Sequence, residues 1–320
     1  MKLIKGIANL KKFKNPVLTI GIFDGVHLGH QKIITQVLRQ AKNLNGTSVV
    51  VTFCPYPLRQ LKKHPATALI TTVEHRIDLI RYLGADVCIV SDFNKEFSRM
   101  SAEDFVKYFL VDIIGIRSLV VGERFRFGRK RAGTVAFLKK MSKRHNFRLH
   151  QVNEIPLKGK IISSSRIRRL IQTGQVRQAN ALLGRKFSLF GKVELGQARG
   201  RILGFPTANI TPDQEIVPAS GVYAVFVRFN KKIYSGVLNI GFRPTFQSRE
   251  TAVHTFEAHI FNFGNQIYGR TLELFFIQRI RAEKKFASHQ TLLAQIKKDA
   301  WLAKIILQKA KSPSLKTTLF

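Results

Sequence analysis

The chain is short of acid and short of cysteine. Only 19 of its 320 residues are Asp or Glu, against 54 Lys and Arg, which leaves a formal charge of +35 at pH 7. That imbalance spreads a positive field over the surface and attracts anions. A nucleic acid, an acidic membrane surface or a phosphorylated small substrate would each satisfy it, and charge alone does not choose among them. The two cysteines, Cys54 and Cys88, lie in no CxxC or Cys/His ligand spacing, so neither a disulfide framework nor a zinc site is expected. No apolar run approaches the ~18 residues of a membrane span, and the Met1-Lys2-Leu3-Ile4-Lys5-Gly6 start lacks the apolar core of a signal peptide. No membrane partner is expected, and a reducing cytoplasm is the expected setting. The 22 glycines and 10 prolines are too few for collagen or low-complexity disorder.

What is present is enough apolar residue, 45% of the chain, to fill more than one core. In the first half, short β-branched runs alternate with helical patterns. Val17 to Phe23 precedes a helix from about His30 to Asn43, and Ser48 to Phe53 precedes one from Glu74 to Leu83 stopped by Gly84. Val87 to Val90 and Ser118 to Val121 read as buried strands. The helix between them opens with Ser101 and Asp104 in capping-box spacing. This grammar predicts an α/β domain with a Rossmann-like parallel sheet covered on both faces.

Around Gly184 and Arg185 the period changes. Phe187 to Val193, Gly221 to Phe229, Lys232 to Leu238, Thr255 to Phe261 and Thr271 to Ile280 are short β-rich runs separated by Gly, Pro and Asn. Strands without intervening helices predict an antiparallel β-barrel or sandwich. A helix from Ser288 to Lys309 carries Leu292, Ile296, Ala300, Ala303 and Ile306 on one stripe. The expected division is residues 1–185, residues 186–310, and a frayed tail over 311–320.

Two clusters in the first half suit anions. Strand Val17 to Phe23 runs into Asp24-Gly25-Val26-His27-Leu28-Gly29-His30, and a helix follows at once. Glycines let backbone approach a ligand closely, and helix N-terminal amides attract phosphate. His27 and His30, three apart across Gly29, can each donate a hydrogen bond to an oxygen that gains charge during transfer. A His-x-x-His in a turn is by itself an ordinary surface feature; its place directly after a buried strand favours the anion site. The second cluster, Ile162-Ser163-Ser164-Ser165-Arg166-Ile167-Arg168-Arg169, opens another helix, where serines cap and Arg168 faces phosphate.

In the second half, Leu203-Gly204-Phe205-Pro206-Thr207-Ala208-Asn209 holds a hydroxyl and an amide oxygen in one rigid turn, a pair of hard ligands for Mg²⁺ carried by nucleotide phosphates. Alone, Thr207 and Asn209 read as turn formers. Further on, strand alternation in Thr255-Phe256-Glu257-Ala258-His259 places Glu257 and His259 opposite the apolar face. A carboxylate at a barrel mouth can accept the proton of an attacking hydroxyl.

These residues resemble the GxFDGxHxGH and ISSxxxR signatures of the HxGH nucleotidyltransferases, and within them the bifunctional riboflavin kinase/FMN adenylyltransferase family. Thr52-Phe53-Cys54-Pro55-Tyr56-Pro57, Gly122-Glu123-Arg124-Phe125-Arg126-Phe127-Gly128 and the unaltered Pro-Thr-Ala-Asn continue the likeness, from about residue 15 to 303. The resemblance implies ATP-dependent phosphorylation of riboflavin to FMN and adenylylation of FMN to FAD. It implies ATP contacts at Gly21, Phe23, Asp24, Gly25, His27, Gly29, His30, Ser163, Ser164, Ser165 and Arg168, and in the barrel at Gly204, Pro206, Thr207 and Asn209. Flavin contacts are implied at Phe53, Pro55, Pro57, Arg124, Phe125, Phe127 and Asn239. Thr207 and Asn209 would hold Mg²⁺, Glu257 would be the catalytic base of phosphorylation, and His27, His30 and Arg168 the stabilising groups of adenylyl transfer.

The chain departs from the family where Cys54 and Tyr56 replace an acid and a His, and where Arg124 replaces Asp or Asn. An always-charged donor in place of a short acceptor inverts the hydrogen bonding offered to a flavin. A second expectation follows: riboflavin kinase alone, with the first half a flavin-, nucleotide- or RNA-binding module. For it, Lys139-Lys140 with Lys143-Arg144, and Arg166 with Arg168-Arg169, would grip phosphate backbone. No RNP-like aromatic motif supports RNA. The sequence sets no oligomeric state.

Overall fold

The computed structural model describes residues 1–320 except 8, 9, 11, 56, 58–67, 158, 196–203, 244–252 and 314–320. Tyr56, residues 196–201, Leu203 and the tail from 314 onward therefore lie outside the described residues. By Cα packing the chain forms two units, residues 1–67 with 73–163, and residues 68–72 with 164–320.

Unit 1 is built on a six-stranded parallel sheet: β1 (Lys2–Lys5), β2 (Val17–Ile20), β3 (Ser48–Phe53), β4 (Val87–Ser91), β5 (Ser118–Gly122) and β6 (Arg148–Val152), in the order β1-β4-β3-β2-β5-β6. β3 is buried along its whole length, as a strand covered on both faces must be. Val49, Val51 and Phe53 face Phe105, Phe109 and Leu110. Val50, on the other side, packs with Ile34, Ile77 and Ile80 from the helices Leu28–Asn43 and Val73–Tyr82. The expected parallel sheet is thus present, with β1 and β6 added at its edges. From β2 the chain builds toward β3 on one side and from β5 toward β6 on the other. The crevice between their carboxyl ends is the switch point where such sheets take ligands.

The capping pair Ser101 and Asp104 forms as expected: Ser101 Oγ accepts the Asp104 amide at 3.0 Å. The helix it opens is unusual, because Ala102–Asp104 passes directly into a π-helical stretch, Phe105–Ile113.

Unit 2 is a closed antiparallel barrel of six strands, β9 (Phe187–Glu194), β10 (Ala208–Pro212), β11 (Gly221–Phe229), β12 (Lys232–Arg243), β13 (Val253–Ile260) and β14 (Thr271–Arg281), ordered β10-β13-β12-β11-β14-β9; a small hairpin, β7 (Pro156–Leu157) with β8 (Lys160–Ile161), precedes it in the chain. Leu238, Ile240, Phe256 and Ala258 point inward and are buried. The outer faces of β11 and β14 carry Ala224, Phe226, Phe275 and Ile277 under Ala300, Ala303 and Leu307 of the helix His289–Lys309. That helix begins in a capping box between Ser288 and Thr291. Its buried stripe also holds Asp299, which receives Arg281 at 2.8 Å. Two short helices, Ser164–Gln172 and Val176–Leu183, pack in this unit as well. Asn180 fastens the second, donating to Phe276 O at 2.8 Å and accepting the Phe187 amide at 2.6 Å. The sequence period therefore changes at Gly184 and Arg185, while the packing divides at residues 163 and 164.

Across β11 and β14, Arg228 and Glu273 form an ion pair that is 5% and 4% exposed. Burial pushes the guanidinium down to about 10, and its face lies over the Phe275 ring at 5.1 Å. A pair this buried is worth little over an apolar isostere, yet leaving one member alone costs about 3–5 kcal/mol. Glu273→Gln should therefore destabilise the barrel by about 3–5 kcal/mol, and Arg228→Met with Glu273→Leu should restore most of it. Urea unfolding followed by the fluorescence of Trp301, the only tryptophan, checks both.

Candidate active sites

The first site forms where β2 ends. Backbone φ is positive at Phe23 (50°), Gly25 (81°) and Val26 (38°), so the turn into the helix is tight and, at Phe23 and Val26, strained. Residues held in this region cost about 1–3 kcal/mol each and persist only when their surroundings impose them. Here the surroundings do so. Phe23 and Val26 are buried, and the Phe23 ring lies over Gly21, where a Cβ would sit 3.1 Å from Cζ. Val26 O receives the Gln31 side chain at 2.9 Å.

His27 caps the helix, its Nδ1 accepting the His30 amide at 3.3 Å. The two imidazoles stack at 3.6 Å with an interplanar angle of 18°, and Phe23 meets the His30 ring edge-on at 5.2 Å. A Cβ at Gly29 would lie 3.1 Å from His27 Cε1, so a larger residue there would press the ring out of its stack. The sequence-predicted pair is therefore brought together on the first turn of a helix, next to buried Asp24 and Gly25.

Arg76 is the residue that sequence reasoning missed. It is 1% exposed on the helix Val73–Tyr82, and its NH1 group donates to Ile22 O at 2.5 Å and Thr52 Oγ1 at 3.0 Å. Thr52 Oγ1 in turn donates to Ile22 O at 3.1 Å. Burial pulls the guanidinium below its ordinary value, and Asp24 is foremost among the charges that oppose this. One buried cation thus joins the carboxyl ends of β2 and β3 beneath the histidine turn. A basic residue inside an apolar helical pattern gave no signal of that role.

The flavin candidates divide. Phe53 and Phe127 are 8% and 7% exposed and belong to an aromatic core with Phe93, Phe97, Phe105 and Phe109. Half-buried Phe125 stacks on Phe127 at 5.5 Å. Pro55 is exposed and Pro57 buried. Arg124 is exposed and pairs with Glu154 at 3.0 Å, so its charge is already engaged. Ser164 and Ser165 start the Ser164–Gln172 helix, with Arg168 half-buried one turn on; these belong to unit 2, whereas Ser163 ends unit 1. Lys139, Lys140 and Lys143 are exposed on the Val135–Arg144 helix, and Arg144 pairs with Glu103 at 2.8 Å.

The second site lies on the outer face of the barrel. Glu257 on β13 is registered opposite Asn209 on β10 and opposite Asn239 on β12. Directly paired residues of antiparallel strands share a face, so the three side chains form one row across three strands. Among the described residues Glu257 takes part in no ion pair. Thr207 stands two residues before Asn209, in the turn that leads into β10. The row continues beside Thr255 and Glu283: a Cβ on Gly241 would lie 3.1 Å from Glu283 Oε1, 3.2 Å from Thr255 Oγ1 and 3.7 Å from Asn239 Nδ2. A cavity of about 610 Å³, lined by Pro218, Ala219, Ser220, Arg279, Ala282 and Glu283 among others, opens where β11 starts and β14 ends. Its walls are set by Tyr223, whose hydroxyl donates to Ala219 O at 2.5 Å, and by Arg279, which donates to Ser220 O. Burial raises the Tyr223 hydroxyl to about 12.

A helix-capped imidazole pair at a sheet switch point, and a hydroxyl/amide/carboxylate row on a closed barrel, define a two-unit transferase that handles phosphates. The comparisons make the class particular. The FAD synthetase family matches residues 10–166 and the riboflavin kinase family residues 183–307. The bifunctional riboflavin kinase/FMN adenylyltransferase of Buchnera aphidicola (subsp. Schizaphis graminum) is 39% identical over 308 residues, covering 95% of this chain and 98% of the relative. Those of Bacillus subtilis and Escherichia coli K12 are 38% and 34% identical, covering 88% and 95% of this chain and 90% and 97% of the relatives. A solved structure described as a macrolide-efflux protein of Streptococcus pneumoniae shares the architecture, with a TM-score of 0.86 and 28% identity over 97% of this chain and all of that one. No described helix is long and apolar enough to cross a membrane. The chain belongs to the bifunctional riboflavin kinase/FMN adenylyltransferase family.

Removing the guanidinium of Arg76 takes a charged donor from Ile22 O, which keeps the Thr52 hydroxyl, and from Thr52 Oγ1, and a hydrogen bond to a charged group is worth about 1.5–3 kcal/mol. Arg76→Met should lower the stability of unit 1 by about 2–4 kcal/mol. Lost hydrogen-exchange protection in β2 and β3 measures it, with protection in β11 and β12 unchanged.

Proposed function

We propose that the chain makes flavin nucleotides from riboflavin in two ATP-dependent steps. Residues 186–310 phosphorylate riboflavin to FMN with release of ADP. Residues 1–185 transfer the adenylyl group of a second ATP to FMN with release of pyrophosphate. The observation that carries this reading is the row of Asn209, Glu257 and Asn239, a carboxylate registered between two amides on adjacent strands, with a cavity of about 610 Å³ at the end of the same barrel.

In the barrel, the isoalloxazine ring takes the cavity between Pro218 and Glu283, and the ribityl chain reaches the row. Glu257 accepts the proton of the terminal hydroxyl as its oxygen bonds to the γ-phosphorus; the bond from that phosphorus to ADP breaks, and ADP leaves. Asn239 keeps the hydroxyl in line. Thr207 and Asn209 offer a hydroxyl and an amide oxygen, donors of the hard type that fit Mg²⁺, and they would hold it with the ATP phosphates. When bound, the ion would offset charge on the transferring group. Gly204 and Pro206 shape the turn that carries these ligands.

In unit 1, a phosphate oxygen of FMN attacks the α-phosphorus of ATP and the bond to pyrophosphate breaks. His27 and His30 donate to oxygens that gain charge, and the amides of Asp24 and Gly25 add to the field at the helix start. Gly21, Phe23 and Gly29 give the turn its shape. The family resemblance assigns further phosphate contacts to Ser163, Ser164, Ser165 and Arg168. Phe125, Pro55 and Pro57 border the flavin over the floor made by Phe53 and Phe127, with Arg124 at its edge. The two isolated cysteines fit the cytoplasm as the setting.

Purified chain with riboflavin, ATP and Mg²⁺, resolved by chromatography, should yield FMN and then FAD. FMN accumulating without FAD would instead favour the reading of a kinase with an inactive first half. Glu257→Gln should lower riboflavin phosphorylation at least about 100-fold while FAD still forms from supplied FMN. His30→Ala should do the reverse, and an unchanged FAD yield in that variant would remove the histidine pair from the chemistry.

A further inference from the structure

Two residues along β13 from Glu257, on the same face, stands a histidine the mechanism above does not use. His259 Nδ1 lies 2.8 Å from Pro206 O. A carbonyl oxygen only accepts, so the ring carries its proton on Nδ1 and donates it to the loop. The ring is oriented by two phenyl groups. Phe205 meets it at 5.3 Å and 69°, and Phe261 at 5.6 Å and 70°. Phe261, just after β13, belongs to the apolar cluster under the helix His289–Lys309, and Phe205, the loop residue before Pro206, packs against the same cluster, so the imidazole sits between the barrel and the loop it holds.

Pro206 O belongs to the peptide that leads into Thr207. The strand register pairs Ala208 with Ala258 and Asn209 with Glu257, and continuing it by one residue brings Thr207 beside His259. Asn209 and Glu257 share one row, Thr207 stands two residues before Asn209, and the imidazole pins the chain where the loop becomes strand.

We propose that His259 is a positioning residue for phosphoryl transfer, holding the Pro206–Thr207 peptide so that the Thr207 hydroxyl and the Asn209 amide stay aimed at the nucleotide phosphates beside Glu257. The inference rests on the kinase reading given above. His259 acts through the loop and touches neither substrate.

The test is the kinetics of riboflavin phosphorylation by the full chain with Mg²⁺ and ATP, for wild type, His259→Ala and His259→Asn. The Asn amide places an N–H where the imidazole has its Nδ1–H. His259→Ala should raise the KM for ATP about tenfold, the size expected for one lost hydrogen bond, with a smaller fall in kcat and no change in the KM for riboflavin. His259→Asn should recover most of the ATP KM. The unchanged KM for riboflavin shows the barrel folded, and conversion of supplied FMN to FAD by the same preparations should match wild type. An unchanged ATP KM in His259→Ala, or an Asn variant no better than Ala, overturns the inference while leaving the kinase reading intact. A wild-type chain that does not phosphorylate riboflavin overturns both.

Discussion

The proposed kinase site depends on the register of a closed barrel. Side chains alternate along a strand, so a slip of one residue would turn every position of β13 to the other face. Glu257 would then enter the core, and Phe256 and Ala258 would meet solvent. Burying an unpaired carboxylate costs far more than any local rearrangement could recover. The inward residues Leu238, Ile240, Phe256 and Ala258 are therefore what hold Glu257 between Asn209 and Asn239, though none of them touches the row. Closure matters too, since β10 pairs with β13 on one side and with β9 on the other and so completes the barrel.

In unit 1 the same logic runs through strain instead of register. The turn after β2 holds two non-glycine residues in the left-handed region, and the burial of Phe23 and Val26 together with the guanidinium of Arg76 keeps them there. Such conformations persist at sites where the backbone must aim its amides at a ligand. Removal of the clamp would let the turn relax, and the imidazole stack that rests on it would lose its reference to the sheet.

Much of this was legible in the sequence because it follows from periodicity. β2, β3, β4 and β5 appear where β-branched runs stand between helical patterns, and β11, β12 and β14 where alternation is long. The site motifs were legible because glycine, histidine and serine cluster at strand and helix ends. The misses have physical causes. β10 spans five residues ending in Pro212 and has too little alternation to show a period. The π-helical stretch Phe105–Ile113 has the apolar content of any buried helix, and its hydrogen-bond step leaves no trace in composition. Arg76, Asp299 and the Arg228–Glu273 pair owe their burial to partners far away in the chain, which local patterns cannot reveal.

The excess of positive charge acts differently on the two reactions. Riboflavin is neutral, so the field contributes nothing to its binding. FMN is an anion, as are ATP, ADP and pyrophosphate, and a field of this sign raises their local concentration and slows their escape. The first reaction thus converts a molecule the field ignores into one the field retains for the reaction that consumes it. Carboxylates that could cancel the field are few, and Asp78, Glu103, Glu154, Glu273 and Asp299 are each paired with an arginine. Retention of this kind is screened over about 8 Å at physiological ionic strength, so it acts close to the surface and not through the bulk. Salt should therefore weaken the passage of FMN to the second reaction more than it weakens the first.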